Sequence, residues 1–195
     1  MRKLTVNLSV TLDGVLQAPG RLDEDRRGGF VHGGWSVPYF DPAQGRAVAE
    51  QAEASAPALL FGRRTYEDFF AVWPGRKDNP FTAVLNRAQK YVASTTLSEP
   101  LPWANSILLR GDAARTVAAL KREDGRDLLV LGSGELVQSL LRAGLVDELV
   151  LSIHPLVLGS GRRLFVDGAA AAKFKLADAK TSSTGVVIAT YQPLR

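Results

Sequence analysis

Apolar and polar residues alternate strictly from Lys3 to Val10 (Leu4-Thr5-Val6-Asn7-Leu8-Ser9-Val10), which predicts a half-buried strand. A turn at Asp13-Gly14 follows. Asp41-Pro42 reads as an N-cap and first helical residue, opening a helix that ends near Ser55, before Pro57. Ala58-Leu59-Leu60-Phe61 predicts a short buried strand, and Gly62 leads into a helix from about Arg64 to Phe70. After the Trp73-Pro74-Gly75 turn comes a short helix, Phe81 to Asn86, then strands at Lys90–Ser94 and Ser106–Leu109. Asp112 caps a helix to Arg122. Leu128–Leu131 is an apolar strand, and Gly132-Ser133-Gly134 turns into a helix from Glu135 to Arg142 that stops at Gly144. A strand from Asp147 to His154, a turn at Gly159–Gly161 and a hairpin (Phe174–Thr181, Gly185–Gln192) complete the chain. Buried strands alternating with helices predict an α/β fold, with a mostly parallel sheet covered on both faces and antiparallel strands added at the C-terminus.

Residues 15–40 break this regularity with Pro19-Gly20, Gly28-Gly29, Gly33-Gly34 and Pro38. A loop of this length that carries Phe30, Val31, Trp35, Tyr39 and Phe40 is expected to fold over a pocket.

Composition narrows the chemistry. The chain has 195 residues, 46% of them hydrophobic and 23% charged, which fits one globular domain over 1–195. It has no cysteine and two histidines, His32 and His154, so thiolate zinc sites, iron–sulfur clusters, a cysteine nucleophile and a His-rich metal centre are excluded, and no metal is expected. Lys and Arg outnumber Asp and Glu by 24 to 20, but the excess is scattered, and nucleic acid is not an expected partner. The alternating N-terminal segment is not a signal peptide and no apolar run reaches membrane-spanning length, so a cytoplasmic protein without membrane contact is expected.

Four segments could carry chemistry. In Phe61-Gly62-Arg63-Arg64-Thr65-Tyr66-Glu67 a buried strand turns at glycine into a helix that begins with two arginines. Arginines there oppose the helix dipole, which a bound phosphate would offset; solvated arginines after a plain turn are an equal alternative. Leu131-Gly132-Ser133-Gly134-Glu135-Leu136-Val137 repeats the strand–turn–helix pattern; it lacks the third glycine of a dinucleotide fingerprint and reads either as a phosphate or ribose contact or as a tight turn. Ser94-Thr95-Thr96 offers hydroxyls at a strand end, and Thr11-Leu12-Asp13-Gly14 a strand-to-turn carboxylate; ordinary loop and turn are the alternatives. His32 reads as an exposed loop residue and His154 as structural. The acidic clusters Asp23-Glu24-Asp25 and Glu67-Asp68 read as solvated charge. No Gly-x-Ser-x-Gly elbow is present.

In this order and spacing, these segments, with Leu145-Val146-Asp147-Glu148-Leu149, Ile153-His154-Pro155, Leu158-Gly159-Ser160-Gly161 and Leu164-Phe165, resemble the dihydrofolate reductase superfamily. The nearest resemblance is to the reductase domain of the bifunctional riboflavin-biosynthesis deaminase–reductase and its stand-alone bacterial relatives, and it covers nearly the whole chain. The resemblance implies a dihydrofolate reductase-like α/β/α architecture and an NADPH-dependent reductase of a small heterocyclic substrate, of pterin or ribosylaminopyrimidine type. It further implies that Gly62, Arg63, Arg64 and Thr65 hold cofactor phosphates, with Ser94 and Thr95 near the adenosine ribose and its 2′-phosphate. Gly132, Ser133, Gly134, Glu135 and Leu136 would line the pyrophosphate and nicotinamide side. Asp13 would be the catalytic residue, and Gly14, Trp35 and Tyr66 would meet substrate. A homodimer is expected. The first helix offers Asp41, Glu50 and Glu53, none clearly matching the carboxylate that binds pterin in folate reductases, so folate itself is not the expected substrate, and the proton is expected from water, an unidentified acid or Asp13. An NADP(H)-binding regulatory module without efficient turnover is the alternative function. The absence of cysteine excludes the zinc deaminase half of the bifunctional enzyme.

Overall fold

The computed structural model describes residues 1–79, 81–169 and 171–194. Its centre is an eight-stranded sheet. The strands are β1 (Leu4–Thr11), β2 (Ala58–Gly62), β3 (Lys90–Ser94), β4 (Ser106–Arg110), β5 (Leu128–Leu131), β6 (Glu148–His154), β7 (Phe174–Thr181) and β8 (Val187–Pro193), in the order β4-β3-β2-β5-β1-β6-β8-β7. Strands β1 to β6 pair in parallel, and the β7–β8 hairpin joins β6 antiparallel. The helices are α1 (Pro42–Ser55), α2 (Arg63–Val72), α3 (Phe81–Arg87), α4 (Ala113–Arg122) and α5 (Gly134–Arg142). The α/β/α layering expected from the sequence is therefore present, and predicted and observed element ends differ by no more than about two residues.

Strand alternation divides the core between two faces. Leu4, Val6, Leu8 and Val10 of β1, with Leu60, Leu128 and Val130, pack against Val117 and Leu120 of α4 and Leu136, Val137 and Leu140 of α5. Leu59 and Phe61 point the other way, onto Tyr66 of α2, Leu85 of α3 and Trp103. Each fully buried leucine contributes roughly 2–3 kcal/mol of transfer free energy. The polar positions of β1, Asn7 and Ser9, are only half-buried and floor a cavity.

The expected caps are in place. Asp41 accepts from the N–H groups of Ala43 and Gln44, and Asp112 from that of Arg115. Asp41 also accepts from the N–H and hydroxyl of Ser183, tying the start of α1 to the β7–β8 turn. The loop of residues 15–40 is ordered by its own apolar cluster of Val15, Ala18, Phe30 and Trp35, packed on Leu156 and Leu158. It contains two short 3-10 turns, Arg27–Gly29 and Val37–Tyr39. His154 is buried edge-on to Trp35 and Tyr39, and its Nδ1 lies 3.0 Å from the Ser152 carbonyl. Burial pushes its pKa down, in keeping with a structural role.

Lys90, the first residue of β3, has no solvent exposure. Its ammonium donates to the carbonyls of Asn86, Ala88 and Ala104 and lies 4.5 Å from the Trp103 ring centroid. It thus satisfies the carbonyls at the end of α3, which no helical N–H can reach. Replacement by methionine keeps the volume and removes the ammonium donor from the Ala88 and Ala104 carbonyls, while the Asn86 carbonyl keeps Asn105 Nδ2. Lys90→Met is expected to lose about 2–3 kcal/mol of stability, read as a lower urea midpoint with an unchanged slope; an unshifted midpoint would refute this role.

Candidate active site

Two adjacent strands send their chains to opposite faces of the sheet. Strand β2 continues into α2 on one face, and β5 into α5 on the other. A crevice opens at the carboxyl ends of strands where connections diverge in this way. The cavity there has a volume of about 1510 Å³, room for more than one drug-sized ligand.

The two turns are stitched together. The Gly62 N–H donates to Ser133 Oγ (3.0 Å), and the Ser133 N–H donates to Thr65 Oγ1 (3.0 Å). Gly132 (φ +64°) and Ser133 (φ +60°) are both left-handed, which turns the chain sharply at the end of β5. No side chain caps α2 or α5, so the first N–H groups of both helices are left to face the cavity. An uncapped helix N-terminus attracts anions through these groups and its dipole. Gly134 also lies against Leu16, where a Cβ would come within 2.8 Å of Leu16 Cδ1.

Side chains add positive charge. Arg63 Nη1 donates to Thr96 Oγ1 (2.8 Å), holding the guanidinium over the Ser94–Thr96 turn. Ser94 Oγ accepts from the N–H groups of Thr96 and Leu97, and Thr95 is exposed to the cavity. Arg64 approaches Glu135 at 3.5 Å. The structure thus brings Gly62, Arg63, Arg64, Thr65, Ser94, Thr95, Gly132, Ser133, Gly134, Glu135 and Leu136 to one cavity.

Four other expected site residues do not line it. Trp35 is turned inward, its indole N–H donating to the Gln17 carbonyl (2.7 Å), so it supports the loop from behind. Tyr66 is 1% exposed, and its hydroxyl accepts from the Trp103 N–H in the core. Gly14 (φ +78°) forms the turn after β1, and its carbonyl accepts from the Leu164 N–H. Asp13 organises the chain after β6: its carboxylate accepts from Thr11 Oγ1 and the N–H groups of Leu158 and Gly159, and lies 3.3 Å from Arg163 Nη2. The Thr11 hydroxyl chiefly, then those backbone groups, outweigh burial and hold its pKa at about 2. A carboxyl so strongly ionised, outside the cavity, does not supply a proton near neutrality.

The acidic clusters read as solvated charge are in fact engaged. Arg21 grips Asp68 of α2 with both terminal nitrogens (3.2 and 2.5 Å), tying the loop to the helix across the cavity wall. Asp25 is paired with Arg27. Glu24 Oε2 accepts from the N–H groups of Gly20 and Arg21, while Oε1 has no hydrogen-bond partner among the described residues. Glu24 lines the cavity, and burial pushes its pKa up. Sequence reading also missed Gln17, Arg27 and Arg162. Glu24 alone had a local signal, a carboxylate four residues beyond Pro-Gly able to cap that turn.

Fold and site together define an α/β protein with a large crevice, flanked by two uncapped helix N-termini, where its strand connections diverge. The chain belongs to the family described as RibD C-terminal domain, whose sequence pattern matches residues 2–188. It is 30% identical over 197 residues to the uncharacterized protein YyaP of Bacillus subtilis (strain 168), covering 97% of this chain and 94% of that one. A solved structure from Shewanella sp. PV-4, provisionally assigned to riboflavin biosynthesis, superposes with a TM-score of 0.69 at 22% identity, over 99% of both chains. A pyrimidine reductase-like protein from Corynebacterium diphtheriae gives a TM-score of 0.64 at 14% identity, over 100% of this chain and 92% of that one. Among the described residues no helix is long and apolar enough to cross a membrane, and no His/Cys/Asp/Glu group could hold a metal ion.

Asp13 generates a pH prediction. Its folded pKa of about 2 lies below the ordinary carboxylate value, so its stabilisation is present above about pH 4 and lost as the pH falls toward 2. Asp13→Asn is expected to lower the melting temperature at pH 6, with the gap to wild type closing near pH 2.5. A gap independent of pH would contradict this.

Proposed function

We propose that the protein is an NADPH-dependent reductase of a small heterocyclic substrate. The observation that carries this reading is the pair of uncapped helix N-termini facing one cavity from opposite sides of the sheet. The residues present fit a nicotinamide dinucleotide. Free N–H groups at the start of α2 and α5 and the Arg64 guanidinium suit a pyrophosphate, and Gly132, where a Cβ would meet Thr65 Cγ2 at 3.2 Å, lets the two turns close together. Arg63, Ser94 and Thr95 suit a ribose 2′-phosphate. When bound, the dinucleotide supplies hydride to an electrophilic carbon. Membership of the RibD C-terminal family and likeness to a pyrimidine reductase-like protein support the substrate class.

The chain's own residues bind, orient and protonate. Phe69, Val72 and Trp73 of the α2 side give the substrate region an apolar wall, opposite loop residues 19–27. Glu24 takes the acid role expected of Asp13. Its carboxyl can hold a proton at Oε1, the oxygen left free, since burial favours the neutral form.

Equilibrium titration with NADPH and with NADH tests this reading. NADPH is expected to bind at least tenfold tighter than NADH. Arg64→Ala is expected to weaken NADPH about tenfold, and Ser94→Ala with Thr95→Ala to narrow the preference. Failure of the protein to bind either nucleotide would overturn the assignment.

A further inference from the structure

The carboxylate of Glu135 sits among three arginines from three separate segments. Its Oε1 lies 3.0 Å from Arg162 Nη1, 3.5 Å from Arg64 Nη1 and 3.8 Å from Arg27 Nη1. Arg27 comes from the long loop, Arg64 from α2, and Arg162 from the segment after β6. Arg27 Nη1 is buried and has no hydrogen-bond acceptor among the described residues; its other nitrogens are occupied by Asp25. Glu135 itself is the second residue of α5, beside the free N–H groups of that helix. One carboxylate thus answers three guanidinium groups at the point where the backbone already attracts anions.

We propose that Glu135 is a built-in counter-ion, occupying among Arg27, Arg64 and Arg162 the seat of an anionic ligand and giving it up when a pyrophosphate group binds. The alternative is that Glu135 gathers the arginines for the ligand, so that its loss would weaken binding. The buried side chain of Gln17 decides between them. Its Nε2 donates to the carbonyls of Asp25 and Arg27, and its Oε1 accepts from the Arg162 N–H. The backbones of both arginines are therefore fixed without Glu135, and Asp25 fixes the Arg27 fork. Glu135 has 66% of its side chain exposed, so its ion pairs add little positional order. Its charge, by contrast, acts on any anion arriving within a few ångströms.

This inference rests on the dinucleotide reading only for the identity of the natural ligand, and inorganic pyrophosphate tests it separately. Dissociation constants for pyrophosphate and for NADP⁺ would be measured by calorimetry on wild type, Glu135→Gln and Arg162→Gln, at low and at raised ionic strength. Glu135→Gln is expected to bind pyrophosphate at least fivefold tighter than wild type at low salt, with the advantage shrinking as salt screens the charge; Arg162→Gln is expected to bind it more weakly. Equal or weaker pyrophosphate binding by Glu135→Gln, with an unchanged melting temperature, overturns the proposal, as does undetectable pyrophosphate binding by all three proteins. Tighter pyrophosphate binding by Glu135→Gln without NADP⁺ binding by any protein would uphold the counter-ion and overturn the dinucleotide reading instead.

Discussion

The reciprocal pair of hydrogen bonds between Ser133 and the start of α2 is the constraint on which the site depends. Helices α2 and α5 pack into different cores on opposite faces of the sheet, so a polar tie between their N-termini has to run between the turns that follow the paired strands β2 and β5. The Gly62 N–H to Ser133 Oγ and Ser133 N–H to Thr65 Oγ1 bonds do so directly. Ser133 accepts a left-handed backbone to reach this position, a conformation that costs a non-glycine residue roughly 1–2 kcal/mol. Two hydrogen bonds of about 1 kcal/mol each offset that cost. A glycine at 133 would relieve the strain and keep the backbone bond to Thr65 but lose the hydroxyl that accepts from Gly62, so serine between two glycines supplies half of the tie.

The cavity's second wall depends on the loop of residues 15–40, and that loop is fastened from both sides. Trp35 and Phe30 anchor it to an apolar cluster behind, while Gln17 links it to the segment after β6. In front, Arg21 reaches across to Asp68 of α2. Asp13 sets the course of the 157–163 segment that receives these contacts. Residues that do not touch the cavity therefore decide the placement of those that do, Glu24 and Arg27 among them.

The elements were legible because each is specified locally. The alternation of β1, the Asp41-Pro42 and Asp112 caps, and the glycines at 62, 132 and 144 act within a few residues of one another. The residues of the two glycine turns were legible as neighbours of one cavity for the same reason, since each strand–turn–helix is specified within a few residues. Tyr66 and Trp35 were misplaced because their polar tips are satisfied by Trp103 and Gln17, 37 and 18 residues away. Asp13 was misassigned because its partners at Leu158, Gly159 and Arg163 lie about 150 residues on. The acidic clusters have no helical or metal-ligand spacing, and only the folded loop shows that Glu24 and Asp68 are engaged. Periodicity cannot carry pairings of this kind.

Charge links the start of α2 to the loop and to α5. Two arginines at the start of α2 oppose that helix's dipole, a local cost of a few tenths of a kcal/mol to about 1 kcal/mol each. Each has a carboxylate nearby: Glu67 for Arg63 and Glu135 for Arg64. Glu67 is one turn along on the same helix, an i,i+4 pair local to Arg63. Glu135 stands on the opposite face's helix and is shared with Arg27 and Arg162, so it relieves the repulsion among all three while the cavity holds no anion. An arriving anion performs the same service with more charge and with the backbone N–H groups as added donors. The arrangement keeps the cluster of Arg27, Arg64 and Arg162 tolerable in the absence of ligand while leaving the stronger anion preferred.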